Sequence, residues 1–86
     1  MDVIKVSAKS RTHAVAAAIA AFIRKYKHAE VQAIGAGAIN QAMTALVLAV
    51  GYLERDGIYI TCLPQFSDVT IGDTVRMAIK LVIDLC

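Results

Sequence analysis

The chain has 86 residues, of which 58% are hydrophobic and 19% are charged, and its formal net charge is +2. This length fits a single domain, residues 1–86, and the high apolar fraction excludes a disordered tail. A chain this short buries only about 60–65% of the surface that its unfolded form exposes, so we expect some apolar residues to lie in a subunit interface. The charge is unevenly divided: residues 1–43 carry six Lys or Arg and two Asp or Glu, whereas residues 44–86 carry three and five.

The composition also bears on the cellular compartment. Two cysteines, Cys62 and Cys86, are too few for a disulfide scaffold and too far apart for a zinc knuckle. The first residues follow a strand pattern rather than a basic and apolar leader. Residues 31–53 carry no charge, but seven polar or glycine residues interrupt them, so we expect no membrane segment. These features predict a soluble, cytoplasmic protein.

The first half of the chain predicts a strand, a helix and a second strand. Residues 2–7 alternate apolar and polar side chains, as a strand does. From Thr12 to Lys27, apolar residues recur at helical spacing beside a broad alanine face, and either Ser10 or Thr12 is the expected N-cap. Residues 30–34 form the second strand, and a glycine-rich turn at residues 35–37 follows it.

The second half predicts a long helix and a hairpin. The helix runs from about Ala38 to Glu54 and is apolar nearly all round. Its large stripe, expected to face the sheet, consists of Ile39, Met43, Leu46, Val50 and Leu53. Strand patterns follow at residues 58–63 and 66–71, with Pro64 marking a bulge or a sheet edge, and a turn at residues 72–74 leads into a last strand. In that strand the odd positions from 75 to 85 are large and apolar, so we expect this face to cover the core.

The order of elements, β-α-β-α-β-β, predicts the fold class. Two crossover units should produce parallel strands, and the last two strands should form a hairpin. With two helices for four strands, the simplest arrangement is a two-layer α/β (α+β) fold with a mixed sheet and both helices on one face. Both helix starts then lie at the same edge of the sheet, where open α/β sheets bind ligands.

The residues do not predict an active site. His13 and His28 have no cysteine or acid nearby in metal-ligand spacing. Cys62 lies within an apolar strand, where a buried and inert thiol is expected, and the terminal Cys86 is incidental. We therefore expect a protein that is not an enzyme and that has neither a cofactor nor a metal.

Anion binding has more support in the sequence. Lys9, Ser10 and Arg11 stand where the first helix exposes its free N–H groups, although a capped helix with solvated charges would give the same pattern. Gly35 and Gly37 open the second helix, and tight packing of strand on helix is the alternative explanation for them. Asn40 and Gln41, in the first turn of that helix, are candidates for reading a phosphate, a sugar or a base edge.

Four blocks of the sequence carry a resemblance to a known family: Val6–Ser10, Val15–Ala20, Glu30–Ala42 and Ala78–Leu81. They resemble the stage V sporulation protein S family of spore-forming bacteria, which is similar in fold to the Alba chromatin and RNA-binding proteins. The resemblance implies the sheet order 1-2-4-3, a dimeric assembly and a regulatory role in sporulation, with a nucleic-acid role suggested by the fold and no enzymatic activity.

This sequence also departs from the Alba pattern. Lys9 and Arg11 fit the lysines that Alba proteins carry after the first strand, but Gly37 and Gln41 stand where those proteins tend to have cations. Asp68 and Asp73 replace the basic tips of the hairpin arm. Each lost cation removes a phosphate contact.

Three functional hypotheses follow from the sequence. The first is weak, largely sequence-independent binding of RNA or DNA by Lys9, Ser10, Arg11 and the residues around Gly35. The second is a protein-interaction adaptor in sporulation without nucleic-acid contact, whose protein partners are unknown. The third is a sensor of a small molecule or anion at the edge formed by residues 35–37.

The second helix also predicts a homodimer. One sheet can cover only one of its apolar faces, and an exposed stripe of this size exceeds what soluble monomers tolerate. A two-fold contact is the commonest way to bury such a stripe. Leu48, Tyr52 and Tyr59 are the expected interface residues.

Overall fold

A computed structural model describes residues 3–86 of the chain. The elements are β1 (Ile4–Val6), α1 (Thr12–Tyr26), β2 (His28–Ile34), α2 (Ala36–Glu54), β3 (Ile60–Ile71) and β4 (Thr74–Leu85). The expected element order and the two-layer α+β arrangement are confirmed. The strand expected at residues 2–7 is shorter, and residue 2 lies outside the described part.

The four strands form one mixed sheet in the order β1-β2-β4-β3, as the family resemblance implied. β1 pairs with β2 in parallel, whereas β4 is antiparallel to both β2 and β3. β3 is therefore an edge strand, and it runs without interruption from Ile60 to Ile71 instead of breaking into two strands. The β3–β4 register is continuous through Pro64, so this proline marks an edge strand and not a bulge.

Both helices cover one face of the sheet. On β2 the alternate residues Ala29, Val31 and Ala33 are buried beneath the helices, together with Leu81 and Ile83 of β4. The intervening β2 residues are half-buried on the opposite face. α1 and α2 each contact β1 and β2, and they also contact each other.

The two helices meet the core mainly through alanines, which corrects the expected facing of α2. Its buried line consists of small residues and two leucines: Ala38, Ala42, Ala45, Leu46, Ala49 and Leu53. From the expected stripe only Leu46 and Leu53 are buried, and Met43 is 43% exposed. The reason is spatial, because α2 packs against both the sheet and α1, and two helices fit side by side on this sheet only if each buries small residues. α1 likewise buries Ala16 and Ala20 beside Ile19 and Ile23.

The helix boundaries differ from expectation by one or two residues. Arg11 occupies the N-cap position of α1, and neither Ser10 nor Thr12 caps the helix. The Ser10 hydroxyl instead accepts the Ser7 backbone N–H at 2.9 Å, so it is used within the loop before the helix. α2 begins at Ala36, directly after Gly35. Gly35 has a φ of +90°, which glycine adopts with little steric strain because it has no Cβ.

The β3–β4 hairpin extends past the rest of the sheet. Its turn consists of Gly72 and Asp73, and the last pairing between β2 and β4 is Ile34 with Ala78. Residues 68–77 therefore form a two-stranded arm, which contributes to a longest dimension of 45 Å. Because the arm extends beyond the helices, Val75 and Met77 are exposed. Of the odd-numbered β4 residues that were expected to cover the core, only Leu81 and Ile83 are fully buried.

α2 is long and apolar enough to cross a membrane by length and composition. Its alanine-rich side is buried against α1 and the sheet, as in a core helix.

A charged network lies on the open face of the sheet and joins β2 to β4. The two ring nitrogens of His28 contact the carboxylates of Asp84 and Glu30, the latter at 2.9 Å, and Lys80 pairs with the other Glu30 oxygen. Hydrogen bonds to Glu30 and Asp84 raise the pKa of His28, and those from Lys80 and His28 lower the pKa of Glu30. The sequence analysis missed this network because Asp84 lies 56 residues from His28 and becomes its neighbour through the sheet register.

We predict that His28→Gln lowers the unfolding free energy most at mildly acidic pH. The contribution of His28 is complete below its ordinary pKa of 6.5 and is lost as the pH rises through its higher folded-state value. The contribution of Glu30 is present above its ordinary pKa of 4.5 and is lost as the pH falls through its lower folded-state value. Urea unfolding at pH values between the two ordinary pKa values, 4.5 and 6.5, should show the largest difference in unfolding free energy between His28→Gln and the wild type.

The other histidine provides the control for this measurement. His13→Gln should leave the pH dependence of stability close to that of the wild type, because His13 lies outside the network. A His28→Gln effect that grows toward alkaline pH would contradict the prediction.

Candidate functional site

Two strand-to-helix loops meet at one edge of the molecule. Since β1 and β2 are parallel, both end there, and α1 and α2 both begin there. A Cβ on Gly37 would lie 3.0 Å from the Cβ of Ala8, so the loops are in close contact and a side chain at Gly37 would require Ala8 to shift by a few tenths of an ångström. The Gln41 Nε2 also donates a hydrogen bond to the Ser10 carbonyl oxygen at 2.8 Å. Residues 7–11 and 35–41 therefore form one surface.

The first of these loops is held in a tight turn by its own serines. The Ser10 N–H donates to the Ser7 carbonyl at 3.1 Å, and the Lys9 N–H donates to the Ser7 hydroxyl at 3.2 Å. The Ser7 N–H in turn donates to the Ser10 hydroxyl. These bonds fix the backbone from which the exposed Lys9 and Arg11 side chains project.

Both helices present open N-termini at this edge. Within residues 3–86, no side chain caps either helix, and the first turn of each contains no acid. The first N–H groups of a helix have no partner inside the helix, and the helix dipole adds partial positive charge there. Two such ends side by side form a surface that favours anions.

A third cation reaches this edge from the far end of the sequence. Arg76 of β4 brings its Nη2 to 3.7 Å from the position that a Cβ on Gly35 would occupy. Lys9, Arg11 and Arg76 form no ion pair with any described residue. We call residues 7–11 and 35–41, together with Arg76, the basic edge.

In the sequence, Arg76 is a polar residue of the last strand pattern, and nothing local assigns it to this edge. Its signal was available only through the sheet order, because β4 lies next to β2 and carries Arg76 to the strand end that precedes Gly35.

The remaining predicted residues of this surface have distinct environments. Gly37 allows the start of α2 to approach Ala8 of the first loop closely. This contact resembles the tight packing expected as the alternative to anion binding for this glycine. Gln41 is half-buried and uses its amide nitrogen to hold the first loop. Asn40 is exposed, and its backbone carbonyl oxygen accepts the Thr44 hydroxyl at 2.9 Å. Its side-chain amide forms no hydrogen bond with residues 3–86.

The residues expected in a dimer interface lie at the opposite end of α2. Leu48 and Tyr52 are half-buried, and the Tyr52 hydroxyl lies 3.2 Å from His13 Nδ1. Both line an open groove of about 560 Å³, whose most exposed apolar member is Val47 at 67%. Tyr59 is exposed and lines a separate depression beside Ile58 and Leu85.

The side chains capable of metal or nucleophilic chemistry are dispersed. In residues 3–86, no three His, Cys, Asp or Glu side chains come together in an arrangement that could hold a metal ion. Cys62 is partly buried, less than expected, and burial raises the pKa of its thiol. A raised pKa keeps the thiol protonated near neutral pH.

The fold and the basic edge define a small two-layer α+β protein in which parallel strand-to-helix crossovers present an anion-favouring surface. Residues 2–85 match the family model described as stage V sporulation protein S (SpoVS), which covers essentially the whole chain. The chain belongs to this family and is a sporulation-associated protein.

We predict a measurable energetic coupling between Gly37 and Ala8. In the wild type, Gly37→Ala gains helix propensity but forces its Cβ against Ala8. In an Ala8→Gly background that conflict disappears, so the same substitution should be more favourable by about 1 kcal/mol. A double-mutant cycle measured by urea unfolding tests this. A coupling energy near zero would mean that the two loops do not pack as described.

Proposed function

We propose that this SpoVS-family protein is a non-enzymatic, cytoplasmic regulator of sporulation that binds RNA or DNA weakly at the basic edge. The observation that carries the proposal is the union of two open helix N-termini with Lys9, Arg11 and Arg76, without an acid in either first helical turn. A chain of phosphates matches such a surface, because each phosphate can accept backbone N–H groups and pair with a cation.

The number of cations argues for weak and salt-sensitive binding. Affinity for a nucleic acid depends on how many phosphates the protein neutralises, and each one releases counterions. Three cations per chain are few for tight binding. Two copies that act on the same strand would raise the effective affinity without new contacts.

The kinds of side chain argue for little sequence preference. Lys, Arg and backbone N–H groups contact phosphates, and such contacts carry no sequence information directly. The exposed Asn40 amide is the group at this edge best suited to reading a base.

We predict that reversing both loop cations, Lys9→Glu with Arg11→Glu, abolishes binding to single-stranded and duplex oligonucleotides. Fluorescence anisotropy at roughly 50 mM salt and above measures both affinity and its salt dependence. Lys25→Glu with Lys27→Glu is the matched control, since it makes the same charge change at the far end of α1. Absence of binding by the wild type at that salt concentration would refute the proposal.

Arg76 supplies a separate test of the same surface. Arg76→Ala should weaken binding about equally for all sequences and should lower the slope of log affinity against log salt by about 1. An unchanged slope would remove Arg76 from the interface.

The dimer belongs to this proposal, with the groove on α2 as its contact. Leu48 and Tyr52 line this groove but also pack on the core, whereas Val47 beside them is mostly exposed. A two-fold contact along the groove would cover that apolar surface.

We predict that Val47→Glu splits the dimer while the monomer stays folded, and that it weakens nucleic-acid binding. Sedimentation measures the mass, and circular dichroism reports folding. Ala21→Glu, on the exposed side of α1 and outside both the groove and the basic edge, is the control. A folded wild-type monomer at micromolar concentration would contradict this prediction.

A second function, protein interaction, is favoured by the arm. Val75 and Met77 are exposed on one side of it, and Ile71 on the other. Apolar surface of this kind on a projecting ribbon suits a protein partner.

A further inference from the structure

The outer side of β3 offers free backbone groups for pairing. The Cys86 N–H donates to the Tyr59 carbonyl oxygen at 2.8 Å, so these two residues form a hydrogen-bonded pair. In an antiparallel ladder such pairs alternate with pairs that do not bond each other. Since the β3–β4 register is continuous, odd-numbered β3 residues direct their N–H and C=O groups to β4, and even-numbered residues direct theirs outward.

Pro64 agrees with this assignment and divides the outer side of β3 in two. It is even-numbered, so its lack of an N–H costs no bond to β4. After it, Phe66, Asp68 and Thr70 present an uninterrupted row of outward N–H and C=O groups. Within residues 3–86, no strand pairs with this side of β3. We call residues 66–70 the open edge.

Apolar surface lies directly beside the open edge. The Phe66 side chain is 80% exposed, on the same side of the sheet as the helices but beyond their reach. Pro64, Gln65, Phe66 and Ile79 line a shallow cavity of about 70 Å³. Its position beside the strand suits one aliphatic side chain of a segment paired along the open edge.

The charges around the open edge determine which partner fits it. Asp68 projects on the same face as Phe66, and Asp73 stands at the hairpin turn. The one cation in residues 66–77, Arg76, pairs opposite Val69 on the other face. Phosphates are therefore repelled from this side. Two copies pairing edge to edge would also bring their acidic groups together, which is unfavourable.

We propose that the open edge binds an extended segment of a partner protein in which an apolar residue and a Lys or Arg stand two positions apart, so that both side chains lie on the face of Phe66 and Asp68. The segment adds as a further strand, and its backbone bonds to Phe66, Asp68 and Thr70. One apolar side chain fills the cavity beside Phe66, and the basic side chains pair with Asp68 and Asp73. The interaction uses residues outside the basic edge, so it stands or falls separately from nucleic-acid binding.

The test uses the full chain and a peptide of about eight residues, the length of a strand, in which Val and Lys alternate on one face and Thr occupies the other face. Amide hydrogen exchange measured by NMR should show new protection at Phe66, Asp68 and Thr70. The same peptide with Glu in place of each Lys should bind at least about tenfold more weakly, because its charges face the same acids. The Asp68→Lys protein should instead bind the acidic peptide more tightly than the basic peptide.

Thr70 provides a matched pair of variants that isolates the backbone contribution. Thr70→Pro removes one outward N–H and spares the ladder to β4, whereas Thr70→Val keeps that N–H. The first should lose most of the peptide affinity, and the second should bind like the wild type. If Thr70→Pro does not fold, the Asp68→Lys protein provides the test. The proposal then requires that this protein binds the acidic peptide more tightly than the basic peptide.

Several results would overturn the proposal. They are new protection on peptide addition only at odd-numbered β3 amides, equal binding of the acidic peptide, equal affinity of the two folded Thr70 variants, no binding at millimolar peptide, or pairing of two copies through this edge. The Lys9→Glu, Arg11→Glu protein should bind the peptide normally. That result separates failure here from failure of the nucleic-acid proposal.

Discussion

The burial of alanines by both helices is the constraint on which the rest of this structure depends. β1 has three residues and β2 has seven, so the sheet offers a narrow platform on this side. Two helices fit over it because each buries small residues, Ala16 and Ala20 on α1 and Ala45 and Ala49 on α2. Larger side chains at these positions would overfill a close-packed core and push the helices apart.

Two features follow from this arrangement. Helices held side by side over parallel strands begin at the same edge, where Gly37 lets the second loop approach Ala8. Helices concentrated over β1 and β2 also leave the distal part of the hairpin uncovered. The basic edge and the exposed arm are thus two consequences of one packing solution.

The sequence predicts local features here better than contacts between distant residues. Alternation and helical spacing yield every element in order, and Pro64 indicates an edge because its chemistry limits it to few positions. The prediction of which side of α2 faces the sheet is wrong, because a nearly all-apolar helix has no polar side to orient it. The small size of its alanines determines the buried side instead. Arg76 and the His28–Asp84 contact depend on which strands are neighbours, and nothing local to either residue carries that information.

The charges separate by surface in the fold and not by half of the sequence, because Arg76 of the acidic half joins Lys9 and Arg11. Lys9, Arg11 and Arg76 gather at the helix starts, whereas Asp68 and Asp73 lie along the arm that projects from the same end. A polyanion that approaches this end is attracted by the helix starts and repelled by the helix-side face of the arm. It is therefore guided across the loops rather than along the hairpin. In the two proposals made above, the nucleic acid and the basic segment therefore use different residues at one end of the molecule.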